Sequence, residues 1–314
     1  MTVQIEESDE PGVTNARGLA MDDDLSVFEA NRPALRALAY RMLGEVSRAE
    51  DIIQEAWLRW QGRSVAVDAP RAFLLQVTTR LCLNELESAR ARHEESRADR
   101  LPEPVDLGAT GMGTVEVLDQ ISMAFLVLLQ RLSPAERAVL LLHDVFEMGH
   151  REIGALLGKS EAACRQLMRR AREHVTAERR VLQASTEEHQ RLLQAFVRAS
   201  RDGDTQQMVR LLADDATLIV DAGPEGRKVG PIRSVGKPVQ GAKRIAALLT
   251  AVAQHRGMGT AVRECTLNGQ PAMVSFAADG TPLAAVLISV ASGAIQRVFV
   301  QVDPRRLRHL GNVS

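Results

Sequence analysis

The sequence predicts a multidomain chain, two all-α units followed by an α+β unit, and three observations carry that expectation. Apolar residues recur at helical spacing over about residues 25–95 and again over about 115–181. An irregular stretch separates the two runs, with LPEP at Leu101–Pro104 and glycines at Gly108, Gly111 and Gly113. After Ser185 two helical runs give way to β-rich runs divided by glycine-bearing breaks. At 314 residues, 45% of them apolar, the chain is long enough to bury two or three cores.

Residues 1–24 hold Glu6, Glu7, Asp9, Glu10 and Asp22–Asp24 among scattered Gly and Pro, and are expected to form a disordered acidic tail. The first helical unit spans 25–95. Within it, Ile52, Ile53, Ala56, Trp57 and Trp60 fall on one helical stripe, while Asp51, Gln54, Glu55 and Arg59 project the other way. Leu58 lies among the polar positions. An apolar anchor rimmed by hydrogen-bonding groups has the makeup of a protein-docking patch; a single surface leucine is the plainer alternative. Pro70 suits the first turn of a further helix, because proline there forfeits no helical hydrogen bond. That helix runs through Phe73, Leu74, Val77, Leu81 and Leu86, and its polar positions Arg80, Asn84, Glu87, Arg90, Arg92 and His93 face either a partner or solvent.

Residues 96–114 form a linker, and the second helical unit covers 115–181. There Leu132–Val175 has the pattern of a helix-turn-helix. Ile153, Leu156 and Leu157 point inward on one helix, Gly158 makes the turn and Ser160 caps the next helix, which buries Cys164, Leu167, Ala171 and Val175. Glu161, Arg165, Gln166, Arg169 and Arg170 face outward, a set that suits a major groove, with arginine reading guanine and glutamine reading adenine. A basic amphipathic helix also fits a protein groove or an acidic membrane. The net charge of −1 does not argue against DNA, because acid collects near the start and base collects over Arg165–Arg180.

The third unit, 186–314, opens with helices around Glu187–Arg201 and Thr205–Ala213 and continues with the runs ATLIVDA, RECTLNG, AMVSFAADG, LAAVLISVASG and IQRVFVQVD. Cys82, Cys164 and Cys265 are far apart and lack metal-ligand spacing, so neither a metal nor a disulfide framework is expected, and no cofactor motif is present. With no membrane-length apolar run and no signal-peptide pattern, the expected location is the cytoplasm.

Together Ala39–Trp60 (AYRMLGEVSRAEDIIQEAWLRW) and Leu132–Val175 resemble conserved regions two and four of bacterial sigma factors of the extracytoplasmic-function (ECF) type. The resemblance implies a promoter-specificity subunit with no catalysis of its own, whose partners are core RNA polymerase and promoter DNA. It assigns Asp51, Gln54, Glu55 and Leu58 to the surface that docks on the polymerase clamp helices. The loop Gln61–Ala69 and the helix after Pro70, with Arg80, Asn84, Arg90 and Arg92, then hold the minus-ten element and pocket an extruded base. Ser160, Glu161, Arg165, Gln166, Arg169 and Arg170 take the minus-thirty-five element. Extrusion costs a few kcal/mol of stacking. With aromatics at 3% of the chain, recognition would rest on pocket shape, Asn84 and arginine–phosphate contacts more than on base stacking.

The β-rich tail resembles SnoaL-like domains, the cone-shaped fold shared with ketosteroid isomerase and nuclear transport factor two, whose pocket could take a small ligand. Enzymes of that group use a carboxylate and often a tyrosine. This tail has no tyrosine or tryptophan, so Asp214, Asp215, Asp221 and His255 read as structural rather than catalytic. The whole arrangement resembles the sigma-J-like subgroup of ECF factors, in which the tail replaces a separate anti-sigma protein. That subgroup's WLPEP, DGGGK-like and NPDKL-like segments have counterparts in RLPEP at Arg100–Pro104, DAGPEGRK at Asp221–Lys228 (interrupted by Pro224 and Glu225) and VDPRRL at Val302–Leu307. On this resemblance Leu101, Pro102, Glu103, Pro104, Asp221, Lys228 and Asp303 form a regulatory contact in which the tail abuts the linker and restrains the two DNA-binding units. The alternative is an ordinary helix-turn-helix regulator with a ligand-sensing tail, which has no use for the Asp51–Arg59 surface.

Overall fold

The computed structural model describes residues 12–91, 100–106, 122–176, 185–224, 226, 228–229, 232–233, 237–255 and 261–312. The first unit is α1 (Gly12–Leu43), α2 (Val46–Gln61) and α3 (Pro70–Ala91). Helix α1 starts at Gly12, so the second half of the segment expected to be a disordered tail is helical instead. Helix α1 is tied to α2 at Asp24, whose carbonyl accepts from Trp60 Nε1 at 2.9 Å and whose carboxylate pairs with Arg63. Gly44, at φ +75°, turns α1 into α2. Ala49, Ile52, Ile53, Ala56 and Trp60 are buried along α2; Trp57 is only half-buried, its ring 4.9 Å from that of Phe28.

The second unit is α4 (Met123–Arg131), α5 (Pro134–Asp144), α6 (His150–Leu157) and α7 (Glu161–Thr176). A capping box starts α5: Ser133 Oγ accepts from the Glu136 amide at 3.3 Å, and Glu136 Oε2 accepts from the Ser133 amide at 3.0 Å. Between α6 and α7, Gly158 takes φ +65°, while a Cβ on Gly154 would stand 2.7 Å from the Lys159 carbonyl, so the turn needs both glycines.

These two helical units were separable in sequence, yet one apolar core runs through α1, α2, α3, α5, α6 and α7. The join is made where α5 packs on α1 and α3, and α6 on α3. Helix α4 divides itself: Leu126, Leu128 and Leu129 join that core, and Met123, Ala124 and Val127 pack on the sheet of the tail.

The tail is α8 (Thr186–Asp202), α9 (Thr205–Leu211), β1 (Leu212–Asp221), the short pair β2 (Lys228–Val229) and β3 (Ile232–Arg233), β4 (Val239–Gln240), α10 (Ala242–His255), then β5 (Ala261–Leu267), β6 (Gln270–Phe276), β7 (Pro282–Ala291), β8 (Ala294–Gln301), α11 (Pro304–Leu307) and a 3₁₀ turn Arg308–Asn312. Strand order is β4-β1-β8-β7-β6-β5, with β1 parallel to β8 and the remaining pairs antiparallel. Asn268–Gly269 and Ser292–Gly293 are both at positive φ, the geometry that closes two-residue hairpins in register with strand twist. One face of the sheet is covered by α8–α10, the other by Leu101 of the linker, α4 and the C-terminal Leu307 and Leu310. Being a middle layer explains why β7 is apolar along nearly its whole length instead of alternating. Among the described residues no helix is long and apolar enough to cross a membrane.

Candidate functional site

On α2 the stripe opposite the core presents Asp51 and Gln54 exposed, Glu55 half-buried and Leu58 at 61% exposure. Glu55 is paired with Arg59 at 3.0 Å one turn on, which leaves Leu58 ringed by polar groups and covered by none. Covering such a leucine with a partner is favourable by about 1–2 kcal/mol.

On α3, Arg80 and Asn84 are exposed side by side at helical spacing. Arg80 Nε also donates to the Leu156 carbonyl at 3.3 Å, at the C-terminal end of α6, where the helix dipole favours a cation. The expected contacts Arg90 and Arg92 lie outside the described residues: α3 reaches Ala91, but the Arg90 side chain is not among those described.

Helix α7 buries Cys164, Leu167, Met168, Ala171 and Val175 and exposes Glu161, Arg165, Gln166, Arg169 and Arg170. Ser160 Oγ accepts from the Ala163 amide at 3.2 Å and so caps the helix. Each arginine is provisionally paired: Arg165 with Glu161, Arg169 with Glu173 at 3.0 Å, Arg170 with Glu136 at 3.2 Å and, beside them, Arg172 with Asp144 at 3.0 Å. The exposed pairs of Arg165 and Arg169 are worth about 0–1 kcal/mol each, whereas the Glu136 partner of Arg170 is buried. Burial alone would raise the Glu136 carboxyl, but its two Ser133 bonds and Arg170 outweigh that and hold it below the usual carboxylate range. Beside this helix His150 is held below the usual histidine range, first by burial and next by His143, whose ring stacks on it at 4.7 Å.

The linker residues Leu101–Val105 are buried, and every backbone hydrogen-bonding group in the segment except the Pro102 carbonyl has an identified partner. Pro102 and Pro104 have no N–H to satisfy. The other three amides donate outward, Leu101 to Asp221 Oδ2 at 3.1 Å, Glu103 to the Gly44 carbonyl at 2.9 Å and Val105 to Asn268 Oδ1 at 3.2 Å. The carbonyls accept from Arg306 (Leu101), Tyr40 Oη at 2.6 Å (Glu103), His309 Nε2 at 2.6 Å (Pro104) and the Asn268 amide at 2.7 Å (Val105). The Glu103 carboxylate reaches both sides of the seam: Oε2 accepts from the Val46 amide at 2.7 Å, and Oε1 lies 3.0 Å from His309 Nδ1.

A charged cluster closes the same seam. Asp221 is 4% and Asp303 3% exposed; Arg100 pairs with both, and Asp221 also accepts from Gln301 Nε2 at 3.1 Å. Arg306 joins Leu101 to Glu45, at 2.6 Å from the latter. A Cβ on Gly223 would sit 2.8 Å from Asp303 Oδ2, so glycine is required where the β1–β2 turn crosses this cluster. Lys228 is in β2, with its side chain outside the described set, as is the side chain of His255. Asp221 has its oxygens fully occupied, and Asp214 and Asp215 are exposed. A half-open cavity of about 500 Å³ lies elsewhere, between α8 and β5–β6, lined by Val197, Arg198, Arg201, Val262, Glu264 and Met273 among others.

Sequence reasoning placed Arg100 and Arg306 in segments expected to meet without giving either a role, and missed Tyr40, Glu45, Asn268 and His309. Their spacings of 63 to 261 residues from the groups they bind across the seam leave no local pattern to read.

Residues 27–92 match the family model for sigma-70 region 2, and residues 122–175 match that for sigma-70, region 4. The chain is 35% identical over 240 residues to the ECF RNA polymerase sigma factor SigJ of Mycobacterium tuberculosis, covering 75% of each chain. It is 31% identical over 295 residues to the probable ECF RNA polymerase sigma factor SigI of the same species, covering 90% of this chain and 94% of that one. The crystal structure of M. tuberculosis SigJ superposes with a TM-score of 0.70 at 30% identity, over 90% of this chain and 98% of that one.

Proposed function

The chain belongs to the ECF RNA polymerase sigma factors, and on that premise we propose how its surfaces divide the work of initiation. Asp51, Gln54, Glu55 and Leu58 dock on core polymerase. Arg80 and Asn84 of α3, continued by Arg90 and Arg92, take the minus-ten element, and the 62–69 loop receives the unpaired base. Ser160, Glu161, Arg165, Gln166, Arg169 and Arg170 take the minus-thirty-five element, with the arginines trading carboxylates for phosphates and guanine edges. The chain performs no chemistry itself and works in the cytoplasm beside its polymerase.

The buried seam is the regulatory element. Minus-ten and minus-thirty-five elements are about 25 base pairs apart, roughly 80 Å of B-form DNA at about 34 Å per turn. A chain whose α3 touches α6 through Arg80, and whose two helical units share one core, cannot span that distance. The described arrangement is therefore a closed one, held by Leu101–Pro104 against Asp221 and Asp303, and opening frees the linker to bridge the two elements. A small ligand acting on the tail would enter at the α8–β5 cavity.

The single observation that carries this reading is Leu58, 61% exposed on a helix whose opposite side buries Ala49, Ile52, Ile53, Ala56 and Trp60. Leu58→Arg should lower core-polymerase affinity by about tenfold or more, equivalent to about 1.4 kcal/mol, without changing the melting temperature. Co-purification with core polymerase checks it, and unchanged affinity would count against the docking assignment.

A further inference from the structure

Between α2 and α3 the chain crosses residues 62–69 as an irregular loop, fixed at both feet. At the first foot the Gly62 amide caps α2 on the Leu58 carbonyl at 2.9 Å. Arg63 then folds back on the helix: Nη1 donates to the Trp60 carbonyl at 2.6 Å, Nη2 pairs with the Asp24 carboxylate, and Cζ stands 3.6 Å over the Trp60 ring. Trp60 is itself buried, bonded to the Asp24 carbonyl and tilted against Phe73 of α3 at 5.9 Å. At the second foot Val67 packs on the helical core and the Phe73 amide donates to the Ala69 carbonyl at 3.1 Å. Ser64, Val65 and Ala66 are left projecting, and Val65, at 73%, is more exposed than any other large apolar residue described.

We propose that Arg63 is the positioning residue of this loop, holding the Ser64–Ala66 tip in the shape that receives an unstacked DNA base against Val65. It rests on the assignment of α3 and the loop to the minus-ten element. A receiver ordered in advance spends none of its binding energy on ordering, so more of that energy offsets the cost of pulling a base from the stack. Arg63 is unsuited to touching DNA itself: its side chain is 19% exposed, and its charge is already met by Asp24 and the Trp60 face. Valine supplies an apolar surface in a loop that has no aromatic residue to stack on a base.

The test uses holoenzyme made from the full chain and core polymerase, on a promoter selected from random duplex by the unaltered chain. 2-Aminopurine, which brightens when unstacked, is placed in turn at each minus-ten position. One position should brighten with the unaltered chain. Arg63→Ala should slow brightening at least tenfold on duplex, but less than twofold when the same element is supplied as a mismatched bubble, with core affinity unchanged. Arg63→Lys, which keeps a charge for Asp24 but cannot lie flat on Trp60, should fall between. Val65→Asp, which alters the receiver itself, should lose on both templates. Equal loss on duplex and bubble with Arg63→Ala, no loss on either, or lost core binding with both Arg63 variants would each overturn the positioning role. If no position brightens with the unaltered holoenzyme, the minus-ten assignment of the loop has failed before Arg63 is tested.

Discussion

Tyr40 shows how much one buried hydroxyl can join. It donates to the Glu103 carbonyl of the linker and accepts from Asn268 Nδ2 at the β5–β6 turn, linking the first helical unit, the linker and the tail through one atom. Burial pushes its phenol far above the ordinary tyrosine range, so it stays a neutral donor at any pH the protein meets. Tyr40→Phe removes the hydroxyl and keeps the ring, stranding a buried carbonyl and a buried amide together. The expected cost is about 1–3 kcal/mol in chemical denaturation, with faster protease cleavage near the linker. Unchanged cleavage would mean that the seam stands without this atom.

The helix-turn-helix is where pattern and structure agree most closely, because each of its signals is local. The apolar period of α7, the Gly158 turn and the Ser160 cap are all decided within a few residues. At the start of α5, Ser133→Ala should cost about 1 kcal/mol through the lost cap. It should also flatten the acid limb of stability. Because Glu136 has its folded-state pKa below its unfolded one, its contribution is complete above the usual carboxylate range and is lost as pH falls through the depressed value; Ser133→Ala removes the bonds that depress it. Thermal melts from about pH 6 down to pH 3 check both the cost and the sign. Arg165→Ala is expected to cost about 1–3 kcal/mol at one base position if it reads a base edge, measured by binding to single-base variants; equal loss on every sequence would make it a phosphate contact. Other elements are less legible for physical reasons. Helix α10 is an alanine-rich run set between β-rich segments, with charge only in Lys243 and Arg244 near its start, and the two-residue strands β2–β4 are too short to show any period. The sequence does show Leu58 as out of place, because exposure on a helix follows from spacing alone, whereas the Trp60–Arg63–Asp24 clamp depends on α1 returning beside α2.

At the scale of the whole chain the question is what keeps two DNA-binding units together. The shared apolar core favours closure without directing it, since hydrophobic contact is non-directional. Direction comes from the linker, whose alternating prolines leave only three amides, each matched to a different structural segment: Leu101 to the tail, Glu103 to the α1–α2 turn and Val105 to the β5–β6 turn. Arg306 is the cation that touches the most of these parties, reaching the Leu101 carbonyl, Glu45 of the first unit and, at 4.0 Å, Asp221. Arg306→Ala strands the buried Leu101 carbonyl and removes the pair with half-buried Glu45, a change worth about 1–3 kcal/mol against the closed form. Since about 1.4 kcal/mol is tenfold in an equilibrium, a loss of that size raises the open population by about fivefold to a hundredfold. A compact chain of this length has a radius of gyration near 20 Å. X-ray scattering should give that value for the unaltered protein and one several ångströms larger for Arg306→Ala and for a chain cut before Asp303. Run-off transcription with core polymerase should rise for both. If the truncated chain is as compact and as active as the intact one, closure is the work of the apolar core alone and the C-terminal turn has no regulatory part.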